Sequence, residues 1–240
     1  MFNPNPSRQL LPLHDGQVCL VFDDVLAEPE RLVALAEQHR ADFVEAPWNA
    51  YPGPELALSA AITARLVEFF NQHARSALGA RRTLRAHSRL ALVTRAPEQL
   101  SPPQWICHRD RLSLEPSTCV AASVLYLFDQ AALGGTAFYR PLRPPVEMDR
   151  LLYDSGRLPA ADFRARYDLQ PGYMTAGNAW FERVACVAPR YNRLIVYRGD
   201  LFHSGDIHCP ERLDPDPRRG RLSLNGFFTC RAAVGPLSPG

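Results

Sequence analysis

The feature that most constrains how this chain folds is the run STCVAASVLYLF at residues 117–128, which is β-branched and aromatic and strongly strand-like. The segment Leu133-Gly134-Gly135-Thr136 reads as a turn into a further strand at 136–139. Strand character also marks residues 17–22, 83–94, 193–197, 201–205 and 220–230. In the last of these, Arg221, Ser223 and Asn225 share one face at period two while Leu222 and Leu224 take the other. At 240 residues the chain exceeds the average domain of about 150. β-Barrels and sandwiches of this size often form one unit, so a single domain over 1–240 is expected.

Helices flank this β framework. Pro29 suits an early helical position, and Leu32, Leu35, Ala36 and His39 then fall on one helical face. Ser59 is a plausible cap for a second helix with Ile62, Leu66, Phe69, Phe70 and Leu78 as its apolar stripe and Gly79 as its end. Both helices are expected to cover a sheet, giving a helical support at about 17–80 and a β core at about 83–140 and 190–231. Residues 1–16, with three prolines, read as a loosely attached arm. The proline-broken stretch at about 141–190 reads as an insertion of small helices and loops rather than sheet.

All of the 27 basic residues are arginine, which excludes Schiff-base, P-loop and kinase-type lysine chemistry. A net charge of +2 gives no strong field for nucleic acid, and the cluster Arg81, Arg82, Arg85 and Arg89 reads as a solvated surface. The six cysteines show no Cys-x-x-Cys spacing, and no export signal or apolar run approaching a membrane span of about 18 residues is present. Reduced thiols in a cytoplasmic protein, with no nucleic-acid or membrane partner, are expected.

Just before the leading strand stands His108-x-Asp110. Residues i and i+2 of an extended segment point to one side, so the imidazole and the carboxylate can converge on a metal. A second histidine from a distant strand would complete a facial set of two His and one carboxylate, the ligand type of non-haem Fe(II) oxygenases. His203 is preferred over His208 because it directly follows the strand at 194–197, whereas His208 begins a Cys-Pro loop. Cys107, at i−1, points to the opposite face and reads as packing. Arg221 and Ser223, side by side on a strand, form a ready clamp for a carboxylate.

In that order, His108-x-Asp110, His203 and Arg221-x-Ser223 resemble the Fe(II)- and 2-oxoglutarate-dependent dioxygenase superfamily, nearest to its prolyl-hydroxylase-like branch. Tyr126-Leu127-Phe128-Asp129 with Gly134-Gly135 and Phe138 is similar to the strand and Gly-Gly turn after His-x-Asp in that branch. The segments 192–197 and 221–228 resemble its last two motifs, so the likeness covers roughly 105–140 and 190–230. The resemblance implies a double-stranded β-helix, a cupin-like jelly roll, supported by the N-terminal helices. It further implies that His108, Asp110 and His203 hold Fe(II), that Arg221 pairs with the distal carboxylate of 2-oxoglutarate, and that Ser223 and Tyr126 hydrogen-bond it. With O2 as the other cosubstrate, the family oxidises its substrate while releasing succinate and CO2. Halogenating relatives lack the carboxylate that Asp110 supplies here, so hydroxylation or a related oxidation is favoured. The gaps from His108 to His203 (203 − 108 = 95) and from His203 to Arg221 (221 − 203 = 18) exceed those of compact members and point to insertions. The Arg221-x-Ser223 pair argues against a hydrolase or isomerase using another metal, which has no use for a dicarboxylate clamp, while a non-catalytic jelly-roll binding protein with a relic metal site remains an alternative on sequence alone. Trp48, Tyr51, Tyr153, Tyr173 and Trp180 are candidates for the rim of the site, which suits a small molecule or an amino-acid side chain.

Overall fold

The computed structural model of the protein describes residues 2–45, 50–110, 115 and 117–233. In chain order its strands are β1 (Ser7–Pro12), β2 (Val18–Asp23), β3 (Val44–Glu45), β4 (Pro54–Ala57), β5 (Ala80–Val93) and β6 (Thr118–Tyr126). They continue as β7 (Thr136–Pro141), β8 (Phe181–Val187), β9 (Arg193–Arg198), β10 (Phe202–Gly205) and β11 (Arg221–Ala232). The helices are α1 (Glu30–Gln38), α2 (Ala60–His73), α3 (Pro145–Ser155) and α4 (Ala160–Tyr167).

The strands form two sheets, one in the order β1-β2-β9-β6-β11-β5-β4-β3 and a smaller one in the order β10-β7-β8. From β6 onward the chain alternates between them: β7 and β8 lie in the small sheet, β9 in the large, β10 in the small and β11 in the large. This crossing of antiparallel strands between two facing layers is a jelly roll. Between the layers, Ala122, Tyr126 and Tyr197 of the large sheet pack with Phe138 and Val187 of the small one.

Period-two alternation sorts the long strands into two environments. On β11, Leu222, Leu224 and Phe228 face outward and join Leu90 and Leu92 of β5 beneath α2. The Phe70 and Phe228 rings stack at 4.1 Å. Gly226 lets α2 come this close, because a Cβ there would lie 2.5 Å from Leu66 Cδ2 and 2.7 Å from Ser123 Oγ. Ser59 caps α2, its Oγ accepting from the Ile62 amide at 3.4 Å. The alternate residues of β11, Arg221, Ser223 and Asn225, face the space between the sheets and line a cavity there.

Three segments depart from the sequence reading. Within residues 1–16, Ser7–Pro12 is no loose arm but an edge strand in register with β2, Ser7 opposite Asp23 and Pro12 opposite Val18. Its side chains are mostly exposed, so no apolar run announces it; the pairing stabilises it instead. The stretch 141–190 does hold two short helices, yet it also supplies β8, which pairs with β7 from Thr136↔Val187 to Pro141↔Phe181. The second helix ends at His73, and Leu78 sits on a separate 3-10 turn before Gly79. Asp23 ties the sheet edge together, receiving Arg193 Nε at 2.7 Å, Arg193 Nη2 at 3.0 Å and Arg190 Nη1 at 3.1 Å. All six cysteines are free thiols, and no helix among the described residues is long and apolar enough to cross a membrane.

Candidate metal centre and its cavity

His108 and His203 form an isolated antiparallel bridge, each amide donating to the other's carbonyl at 3.0 Å. Directly opposed residues of such a pair project to the same side. The fold thereby sets two imidazoles from distant parts of the chain next to each other, ring centroids 4.4 Å apart. Asp110 joins them, with Oδ2 at 3.2 Å from His203 Nε2 and Oδ1 at 3.6 Å from His108 Nε2. One ligand atom from each residue lies within 4.8 Å of the other two. It is the only such group of three His, Cys, Asp or Glu side chains among the described residues.

The electrostatics of the three are coupled. Burial alone would depress the His203 imidazole, but the Asp110 carboxylate, through its charge and hydrogen bond, reverses this and leaves His203 raised. Burial likewise pushes Asp110 up, and the His203 charge and hydrogen bond together with His108 and Arg89 outweigh it and hold the carboxylate low. Desolvation and the charge of His203 press His108 down to about 4, so it is a neutral donor at pH 7. His203 Nδ1 faces the Leu201 carbonyl at 3.0 Å, which keeps a proton on that nitrogen and turns Nε2 toward Asp110. A divalent cation held by the three donors would displace the proton that His203 Nε2 shares with Asp110, 3.2 Å away.

His208 does not enter this group; it pairs with Asp206 at 3.1 Å and is largely exposed. Cys107 is fully buried among apolar residues around α3 and α4.

The triad opens onto a cavity of about 510 Å³ between the sheets. Arg221, buried at its far wall, donates Nε to Leu133 O at 2.9 Å and to Gly134 O at 3.2 Å, and Nη2 to Gly135 O at 2.8 Å. The Gly-Gly turn that cradles it is packed tightly, since a Cβ on Gly135 would fall 1.8 Å from the Val187 carbonyl oxygen. Arg221 has no acidic partner among the described residues, and its Nη1 makes no hydrogen bond there. Ser223 Oγ donates to Asn225 Oδ1 at 3.0 Å, and both line the cavity. Tyr126, by contrast, stands behind the wall: its hydroxyl donates to Thr136 Oγ1 at 2.8 Å, and Thr136 lines the cavity in its place.

Of the aromatic rim candidates, Tyr51 and Tyr173 line the cavity. Tyr153 is exposed on α3, and Trp180 packs against Tyr167 and donates to its carbonyl at 3.1 Å. Trp48 lies outside the described residues. The arginine cluster divides. Arg81, Arg82 and Arg85 are exposed as expected of a solvated surface, whereas Arg89 turns into the cavity. The signal for it was the same period-two pattern, because Arg89 stands opposite Asn225 on the neighbouring strand.

A family model described as "Family of unknown function (DUF6445)" matches residues 4–228. No curated protein matches the chain. Among solved structures it is similar to HygX from Streptomyces hygroscopicus with nickel and 2-oxoglutarate bound, at 12% identity and TM-score 0.47, covering 90% of this chain and 84% of that one. It is also similar to an N-substituted L-amino acid dioxygenase from Burkholderia ambifaria AMMD, at 11% identity and TM-score 0.41, covering 95% of each chain. At such overlaps the chemistry has to be read from the site's own residues.

Proposed function

The chain belongs to the DUF6445 family, and we propose that it is an Fe(II)- and 2-oxoglutarate-dependent oxygenase that oxidises a small molecule or an amino-acid side chain. The observation that carries this reading is the presence, in one cavity, of a convergent His-Asp-His set and a buried guanidinium without an acidic partner among the described residues. The first suits a divalent cation of borderline hardness. Two neutral imidazoles and one carboxylate leave the ion at net +1 with positions free for a chelating cosubstrate and for O2. The second suits an anion.

A buried positive charge met by carbonyl dipoles and the Phe128 ring, 5.5 Å from the guanidinium carbon, but by no acid among the described residues is costly, and a carboxylate on the remaining Nη1 edge would offset that cost. Arg221 also lies at the right place for a short diacid. Its Nη2 would be 3.6 Å from a Cβ on Gly205, two residues beyond His203 on β10. Two strand residues span about 6.6 Å, a gap that a five-carbon diacid bridges. Thr136, accepting a hydrogen bond from the Tyr126 hydroxyl, is left to donate its own hydroxyl proton into the cavity. Tyr126 thus acts on the cosubstrate through Thr136 rather than by contact.

In this reading His108, Asp110 and His203 would hold Fe(II), and Arg221 with Ser223 and Thr136 would orient 2-oxoglutarate. Bound iron supplies the oxygen activation, with 2-oxoglutarate and O2 consumed to give succinate, CO2 and the oxidised substrate. A simple metal hydrolase has no use for the diacid clamp.

The test separates the two halves of the site. Under anaerobic conditions the parent should bind one Fe(II), and His203→Ala should lose stoichiometric binding. Arg221→Lys keeps the charge but loses the planar fork, so 2-oxoglutarate affinity should fall by about 10- to 100-fold with Fe(II) affinity near the parent value. Absence of 2-oxoglutarate binding by the Fe(II)-loaded parent, or of succinate formation in air, would sink the proposal.

A further inference from the structure

Arg89 is the second guanidinium of the cavity, and the oxygenase reading gives it no task. It projects from β5 opposite Asn225, four residues along β11 from Arg221 (225 − 221 = 4), or about 13 Å along the strand. One small diacid chelating the metal cannot occupy both arginines. Arg89 instead lines the same cavity as His108, Asp110 and His203.

Its surroundings hold it in place without saturating it. Glu55 Oε1 lies 3.0 Å from Arg89 Nε, and the guanidinium carbon sits 4.7 Å from the centroid of the Phe227 ring. His87 stacks on the same ring at 4.8 Å and 16°. The Nε contact is an ion pair without hydrogen-bond geometry, so the charge of Glu55 and the Phe227 ring together hold the group in place. Neither Nη nitrogen makes a hydrogen bond among the described residues, although Arg89 lines the cavity. A planar donor pair without a hydrogen bond among the described residues, on a guanidinium that lines the triad's cavity, can receive an oxyanion in two parallel bonds.

We propose that Arg89 is a specificity-determining residue that binds a carboxylate on the substrate, so that the substrate class is a small carboxylic acid. This rests on the oxygenase reading for the identity of the site, not for the interaction itself. The acid group docks on the Nη edge of Arg89, the body of the molecule lies along Phe227 and His87, and the carbon to be oxidised is carried toward the triad. Glu55 keeps the arginine extended and sets a negative charge behind it, which disfavours a substrate with a second anionic group at that end.

The experiment compares matched acids and primary amides, phenylacetate with phenylacetamide and hexanoate with hexanamide, by ligand-observed NMR titration. Protein loaded with Zn(II) and 2-oxoglutarate keeps Arg221 occupied and chemistry silent. In at least one pair the acid should bind tenfold or more tightly than its amide. Arg89→Gln should abolish that preference, and Arg89→Lys should weaken it. Because Arg89→Gln leaves Glu55 buried beside a neutral group, the Glu55→Gln/Arg89→Gln double variant serves as the folded control and should show the same loss. 2-Oxoglutarate affinity should stay within about threefold of the parent in all three.

Acids and amides binding alike in both pairs, or a preference that survives in the double variant, would overturn the proposal. So would loss of 2-oxoglutarate rather than of the probe acid, since Arg89 would then serve the cosubstrate. The same titration in metal-free Arg221→Gln protein separates the two readings. An Arg89-dependent acid preference there, with no 2-oxoglutarate binding by the parent, leaves Arg89 standing and removes the oxygenase.

Discussion

Asp23 illustrates how far a single side chain is defined by its partners. The Arg193 hydrogen bond, opposed by burial and aided by the charges of Arg193 and Arg190, holds its carboxyl below the usual range. A depressed acid contributes stability that is complete above the unfolded value of about 3.9 and is lost as pH falls through the folded value. Asp23→Asn should therefore lower stability by about 3 kcal/mol at pH 7. In urea unfolding the difference from the parent should shrink once the pH is well below 4; a constant difference would assign the effect to packing. The residues of the candidate site were legible to different degrees. His108, Asp110 and His203 stood out by type, spacing and order, and Arg221 with Ser223 by their shared strand face. Arg89 was hidden because three neighbouring arginines are solvated, and only the register of β5 against β11 turns the fourth inward. Thr136 was hidden for a different reason: its proposed role depends on a hydrogen bond accepted from the Tyr126 hydroxyl across the sheets.

At the scale of elements, the Gly-Gly turn before β7 has two tasks. It lets β8 approach, and its carbonyls hold Arg221. A methyl group at residue 135 would meet the Val187 carbonyl oxygen, a backbone atom that cannot rotate away. Gly135→Ala should thus cost about 3 kcal/mol in thermal unfolding and also weaken 2-oxoglutarate binding, because the clamp moves with the turn. Loss of stability with unchanged cosubstrate affinity would uncouple the two tasks. Sequence periodicity exposed the central strands, whose apolar faces are continuous, and the α2 cap at Ser59. It missed β1 and read 141–190 as helices and loops alone. Edge strands such as β1 and β8 bury one side at most, so their pairing is written in their neighbours rather than in themselves.

At the scale of the whole molecule, the jelly roll was readable because the order of its motifs matched a known arrangement, while the cavity's depth and lining required both sheets to be in place. The candidate centre joins the loop after Ile106 to β10 through one bridge and three side chains. A cation that binds only this folded arrangement should stabilise it by about 2.7 kcal/mol at a hundredfold excess over its Kd. The melting temperature should rise with Fe(II) or Zn(II) in the parent and stay flat in His203→Ala; equal shifts in both would place the cation elsewhere. The bridge between His108 and His203 also has a bearing on biosynthesis. A chain growing from its N-terminus has made both His108 and Asp110 while the third donor is still 93 residues from being made (203 − 110). Two donors on a flexible segment hold a metal weakly, so a nascent chain has little power to capture a passing cation. Acquisition is deferred until β10 has emerged and paired, which makes the filled centre a certificate of completed folding.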